Sequence, residues 1–204
     1  MLGGVSMKEG NLTYKFGHFA FNTFFRFGTG WQIDGRENIP QQGPLIVVAN
    51  HISNWDPPIV GSALNRPVHF MAKKELFEAP VIGGVLNHIG MIPVNRSKSA
   101  RGAIRSALKI LNEGKVLGAF PEGTRSKTGK LKRAKLGIVM IALKAEVPLL
   151  PIGLSNTKQP FSEDVKVRIG EPFTLDKYYG KKLDKKEMKA VGREIMSEIK
   201  TLIE

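Results

Sequence analysis

The sequence predicts an α/β fold: a single domain with a mixed, largely parallel sheet flanked by helices, preceded by an N-terminal amphipathic helical membrane anchor. Three observations predict it. Residues 45–49, Leu-Ile-Val-Val-Ala, form an unbroken apolar run of strand length, as expected of a strand covered on both faces. Helix-periodic segments alternate with further short apolar runs, the pattern of βα units. Residues 11–30 carry six of the 11 phenylalanines, with polar residues at helical spacing.

In residues 11–30 the aromatic residues are Phe16, Phe19, Phe21, Phe24, Phe25 and Phe27, flanked by Tyr14 and Trp31. Lys15, His18, Asn22 and Arg26 follow at intervals of three, four and four, one narrow polar stripe on a helix. The stripe is too polar for an unaided bilayer span. The apolar face is wider than docking on a small domain needs. An interfacial helix fits, with Lys15 and Arg26 at the headgroups and Phe16, Phe19, Phe24, Phe25 and Phe27 entering the interface. The alternative is a core helix covered by the rest of the domain. The expected division is residues 1–31 as anchor and 32–204 as the α/β domain.

Beyond Gly35 each element has its own signal. After the strand at 45–49, Pro57-Pro58 opens a helix, because proline is tolerated in a first turn. Residues 68–72 and 89–94 read as strands. Residues 99–112 read as a helix with Ile104, Leu108 and Leu111 on one face and Gly114 as its stop. Arg101, Arg105 and Lys109 make a basic row elsewhere on it, ordinary for a solvated surface. Residues 116–120 form a strand, 136–145 a helix and 147–154 a strand despite its prolines. Val165, Val167 and Ile169 alternate as a strand with one wet face. Asp184 and Glu187 make a capping box for a last helix, with Met188, Val191, Ile195, Ile199 and Leu202 inward.

Composition narrows the partners. Thirty-one Lys and Arg against 18 Asp and Glu give a formal charge of +13, which calls for an anionic partner: nucleic acid, acidic lipid, a phosphorylated substrate or an acidic carrier protein. The absence of cysteine removes disulfides, cysteine-rich zinc sites and thiol catalysis. The first ten residues lack the apolar core of a secretory signal. No run of about eighteen apolar residues offers a simple spanning helix.

Two segments carry chemistry. Asn50-His51-Ile52-Ser53-Asn54-Trp55-Asp56-Pro57-Pro58 follows a buried strand, where loops of open α/β sheets bind ligands. His51 and Asp56 lie five apart, roughly 140° on a helix, so only a tight turn pairs them. Such a pair is a general base with its orienter, since the carboxylate fixes one tautomer and stabilises the imidazolium. With no Gly-x-Ser-x-Gly elbow and no cysteine, the nucleophile is expected from the substrate, as a hydroxyl. An Asp N-cap with an incidental histidine is the plain alternative. Phe120-Pro121-Glu122-Gly123-Thr124-Arg125-Ser126 also follows a strand. Its glycine lets amides approach a phosphate, Arg125 can fork two oxygens, and Glu122 could orient Arg125 or hold a substrate hydroxyl. An ordinary turn with exposed charges is the competing account. Gly90-Met91-Ile92-Pro93-Val94-Asn95-Arg96 delivers one arginine at a strand end, and Val147-Pro148-Leu149-Leu150-Pro151 offers no chemical group.

Taken in order, His-x4-Asp, Gly-x-Ile-Pro-Val-x-Arg, Phe-Pro-Glu-Gly-Thr-Arg-Ser and Val-Pro-x-x-Pro resemble the blocks of the glycerolipid acyltransferase family, above all its lysophosphatidic acid acyltransferases. The likeness runs roughly from Tyr14 to Phe173 and includes Lys73-Lys74-Glu75-Leu76. The first and third blocks are specific; the other two add register. Asn95 stands where many members carry Asp. The resemblance implies that His51 deprotonates an acceptor hydroxyl and Asp56 orients it. It implies that Arg96 and Arg125 hold the acceptor phosphate, with Glu122, Gly123 and Thr124 shaping that site. It implies no metal, no cofactor and no acyl-enzyme, a thioester donor on coenzyme A or acyl carrier protein, and a place on the cytoplasmic face of the cell membrane.

Other classes fit less well. Nucleic-acid binding would explain the charge, but zinc-finger spacing, a helix-turn-helix signal and an RNP-like strand are missing, and the Phe-rich segment would have no use. A non-catalytic peripheral lipid-binding protein of the same fold leaves His51 and Asp56 without a task. A metallohydrolase is disfavoured by only four histidines (His18, His51, His69 and His88) without His-Glu-x-x-His. Another acceptor, such as glycerol-3-phosphate, stays open.

Overall fold

The computed structural model describes residues 31–79, 83–84, 91–94, 100–161 and 164–203. The phenylalanine-rich segment and Arg96 lie outside the described residues. The described chain forms a seven-stranded sheet in the order β1-β7-β6-β2-β5-β3-β4. The strands are β1 Gln32–Asp34, β2 Leu45–Ala49, β3 Val68–Lys73, β4 Ile92–Val94, β5 Val116–Ala119, β6 Leu149–Ser155 and β7 Lys166–Ile169. β6, β2, β5, β3 and β4 run parallel; β7 is antiparallel to β6, and β1 is parallel to β7. The expected mixed, largely parallel sheet is what forms.

The described residues include the α-helices α1 Asp56–Ala63, α2 Ala100–Asn112 and α3 Leu136–Ala145, which lie between strands, and α4 Lys185–Thr201, which follows the last strand. Period-two alternation in β2 sends Leu45, Val47 and Ala49 to the core under α1, and Ile46 and Val48 to the core shared with α2, α3 and α4. α3, apolar nearly all round, is the middle helix and touches both α2 and α4. The capping box of α4 is present, with the Asp184 side chain accepting from the Glu187 N–H and the Glu187 side chain from the Asp184 N–H, each at 2.7 Å.

Three details differ from the sequence reading. β1 has no counterpart in it, because three residues of mixed burial leave no periodic signal. β6 begins after Pro148 and tolerates Pro151. Asp56 is the first residue of α1, not its N-cap; Trp55 takes that place.

The topology determines where loops meet. β6, β2 and β5 are parallel neighbours, so their carboxyl ends lie side by side, about 5 Å apart. The loops beginning at Asn50, Phe120 and Asn156 therefore leave the same edge of the sheet.

Candidate active site

The chain turns sharply after β2. Asn50 fastens the strand end to β6: its side-chain amide donates to the Leu154 carbonyl (2.9 Å) and its oxygen accepts from the Leu154 N–H (2.7 Å). The next five residues fold around one carboxylate. Asp56 Oδ2 lies 2.7 Å from His51 Nδ1 and accepts the N–H groups of Ile52 (2.7 Å) and Ser53 (2.8 Å). Thr157, in the turn just after β6, donates its hydroxyl to Asp56 Oδ1. The Asp56 carboxylate is fully buried and fully occupied, which makes burial of its charge tolerable.

The imidazole is held from its face as well. The Phe120 ring stacks on it at 4.1 Å and 17°, and Phe70 stacks behind Phe120 at 5.5 Å. Gly118 makes room for this column, because a Cβ there would lie 2.3 Å from the Phe70 ring. With Nδ1 turned to Asp56, Nε2 is the nitrogen left for a substrate. The side chain keeps 17% exposure, enough to meet one.

The loop after β5 closes over the same turn. Glu122, 1% exposed, accepts the His51 N–H at Oε1 (2.9 Å) and the Lys132 N–H at Oε2 (3.1 Å). The expected partners of Glu122 were Arg125 or a substrate hydroxyl; its bonds go to backbone instead. A carboxylate buried between two strand-end loops takes the nearest orphan amides. Gly123 adopts φ 71°, left-handed backbone that suits glycine, and its N–H donates to the Phe120 carbonyl at 2.9 Å. The Ser126 N–H donates to the His51 carbonyl at 2.7 Å. Thr124 and Arg125 are thereby left exposed beside the histidine, and the Lys132 ammonium ties down both of their carbonyls.

Of the residues singled out in the sequence, the fold thus brings His51, Asp56, Glu122, Gly123, Thr124 and Arg125 to one edge. Arg96 and the Lys15-to-Phe27 set are outside the described residues. Two participants went unread. Thr157 lies 101 residues from Asp56, with no local signal linking them. Asn50 could have been found, as a polar residue placed directly at the end of an apolar strand. Among the described residues, no group of three or more His, Cys, Asp or Glu is placed to hold a metal ion, and no helix is long and apolar enough to cross a membrane.

A histidine whose Nδ1 is held by a buried aspartate at the carboxyl edge of a parallel sheet has the arrangement that a general base needs. The comparisons give the family. The acyltransferase family profile matches residues 31–155, more than half of the chain, and the chain belongs to that family. Over 166 residues it is 36% identical to the 1-acyl-sn-glycerol-3-phosphate acyltransferase of Bacillus subtilis, covering 78% of this chain and 81% of that one. Over 135 residues it is 37% identical to the enzyme of the same name from Borreliella burgdorferi, covering 65% of this chain and 54%, about half, of that relative. The crystal structure of the 1-acyl-sn-glycerophosphate (LPA) acyltransferase PlsC from Thermotoga maritima superposes with a TM-score of 0.71 at 27% identity, covering 97% of this chain and 84% of that one.

Proposed function

We propose that this chain transfers a fatty acyl group from an acyl thioester to the sn-2 hydroxyl of 1-acyl-glycerol-3-phosphate, giving phosphatidic acid. The observation that carries the reading is the 2.7 Å bond from His51 Nδ1 to the buried Asp56 carboxylate. The relatives' names supply the acceptor class.

In the proposed reaction His51 Nε2 removes the proton of the acceptor hydroxyl as its oxygen attacks the thioester carbonyl carbon. Asp56 holds the ring in the tautomer with the proton on Nδ1 and steadies the imidazolium that forms. The tetrahedral intermediate collapses with cleavage of the C–S bond, and the thiolate takes the proton back from Nε2. No covalent intermediate on the chain is needed, because the acceptor oxygen is itself the nucleophile. Arg125, exposed beside the histidine, and Arg96 hold the acceptor phosphate. The donor is acyl-CoA or acyl carrier protein, with no metal or other cofactor. The aromatic residues 11–30 place the domain on the cytoplasmic membrane surface, where a single-chain lipid is found.

The test is an acceptor screen with purified protein, offering lysophosphatidic acid and glycerol-3-phosphate in parallel with both thioester donors. Transfer to lysophosphatidic acid is expected, with turnover falling ~10²–10⁴-fold in His51→Ala. A folded His51→Ala protein that keeps more than about a tenth of wild-type kcat removes His51 as the base. Preference for glycerol-3-phosphate replaces the acceptor.

A further inference from the structure

On the other side of the strand ends lies a groove that the chemistry above does not use. It runs between residues 129–136 and α4, encloses about 1140 Å³ and is open along its length. Lys130, Arg133 and Lys135 line one wall, and Lys189, Arg193 and Lys200 line the other, while among the described residues no carboxylate lines either. All six are exposed. Leu136 and Met196 lie among the apolar lining between them.

The charge belongs to a segregated helix. Lys189, Arg193 and Lys200 fall within roughly 40° of one another around α4, a row about 16 Å long. Glu187, Glu194 and Glu198 fall on the opposite side, and Glu194 is engaged there by the Lys177 ammonium and the Tyr178 hydroxyl, each at 3.0 Å. The acids of α4 therefore do not neutralise its cationic row. Gly192 lets the facing segment come close, since a Cβ there would lie 3.3 Å from the Ala134 methyl.

We propose that this groove docks an acidic amphipathic helix of an acyl carrier protein, the donor in the reaction proposed above. Three features favour this occupant. Two facing cationic walls with an apolar floor fit a rod that carries acids on its flanks and apolar residues beneath. A coenzyme A nucleotide would look for an aromatic platform for its purine, and among the described residues no aromatic side chain lines the groove. A bilayer is flat, and a recess would hold much of this charge away from it. Position agrees too. Asn50 and Ile52, the neighbours of His51, line the groove, and Glu122 joins the His51 N–H to the Lys132 N–H in its wall.

The experiment compares wild type with Lys189→Glu/Arg193→Glu and, on the opposite wall, Lys130→Glu/Arg133→Glu. Binding of acyl carrier protein is read directly at low and high salt, and KM is measured for acyl carrier protein and acyl-CoA on detergent-dispersed acceptor. Either double variant should weaken carrier binding and raise the carrier KM by about tenfold or more at low salt, with the gap narrowing at high salt. The acyl-CoA KM should move less than about threefold. Lys189→Gln/Arg193→Gln replaces the first variant if reversal lowers its thermal midpoint. A larger effect on acyl-CoA than on carrier overturns the proposal in favour of a nucleotide-phosphate site. Loss of sedimentation with anionic phosphatidylglycerol vesicles, with both donor KM values unchanged, overturns it in favour of a membrane face. Wild type that uses acyl-CoA and does not bind carrier overturns it while leaving the acyltransferase reading intact. Carrier binding without transfer from either donor leaves the docking surface standing and removes that reading.

Discussion

The two sides of the strand ends hold charge in opposite ways. On one side Asp56 is a single buried carboxylate whose oxygens are engaged by a ring nitrogen, two amides and a hydroxyl. On the other, six exposed cations line a groove that no carboxylate of the described residues enters. Buried charge works through direction and short distance, and losing one bond matters. Exposed charge works through number and sign; it is weakened by salt and tolerates a shift of an ångström. The first arrangement suits a chemical step, the second an encounter. Their separation lets the domain fix one geometry without fixing the other.

The sharpest way to break this comparison is at Asp56. In Asp56→Asn the side chain keeps its shape, but an NH2 must face the donors that now meet carboxylate oxygens, and the imidazole loses its anionic support. Turnover should fall by roughly 10³–10⁴-fold. The fold should also weaken by about 1–3 kcal/mol, because a buried donor is left facing donors. Turnover and urea unfolding check the two effects separately. If activity survives while stability drops, Asp56 is a structural clamp on the turn and not the orienter of a base.

Arg125 lies between the two regimes: exposed, yet beside His51 through the Ser126-to-His51 backbone bond. Arg125→Ala should raise the KM for lysophosphatidic acid roughly 10–150-fold, the worth of one charge-assisted partner, and leave the donor KM nearly unchanged. Initial-rate kinetics with each substrate varied in turn decides it. Equal rises for both substrates would assign Arg125 to general charge attraction.

How much of this was legible in the sequence follows the same division. The strand at Leu45–Ala49, the helix at Leu136–Ala145 and the Asp184 capping box are local patterns, and each appears where the sequence placed it. The His51–Asp56 turn was legible because both partners lie within six residues. What sequence could not give was contact across the sheet. Thr157 reaches Asp56 because β6 and β2 are parallel neighbours, and Glu122 turns to backbone amides because its loop is buried against another. The cationic groove was visible only as net charge. Lys189, Arg193 and Lys200 share a face once α4 forms, but Lys130 and Arg133 join them only through packing.

The smallest expected effect tests whether the two sides are independent. Thr157→Val removes one hydroxyl from Asp56 Oδ1 and nothing else from the turn, so kcat should fall about tenfold, the low end of the worth of one hydrogen bond to a charged group, because Asp56 Oδ2 keeps its three partners. The residue keeps its shape, and α4 is untouched. Lys189→Glu/Arg193→Glu acts on the opposite side and should change the carrier KM with little change in kcat. Neither group of residues hydrogen-bonds the other, so the combined variant should show the product of the two effects on kcat/KM, to within about 0.3–0.5 kcal/mol, or roughly twofold. A combined loss well short of that product would mean that both substitutions disable one shared step. Charge in the groove would then be positioning the Asp56 turn itself. A loss well beyond it would mean that Glu122, which bonds both the His51 and Lys132 amides, transmits strain from the groove wall to the base. Agreement with the product leaves encounter and chemistry as separate functions of one sheet edge.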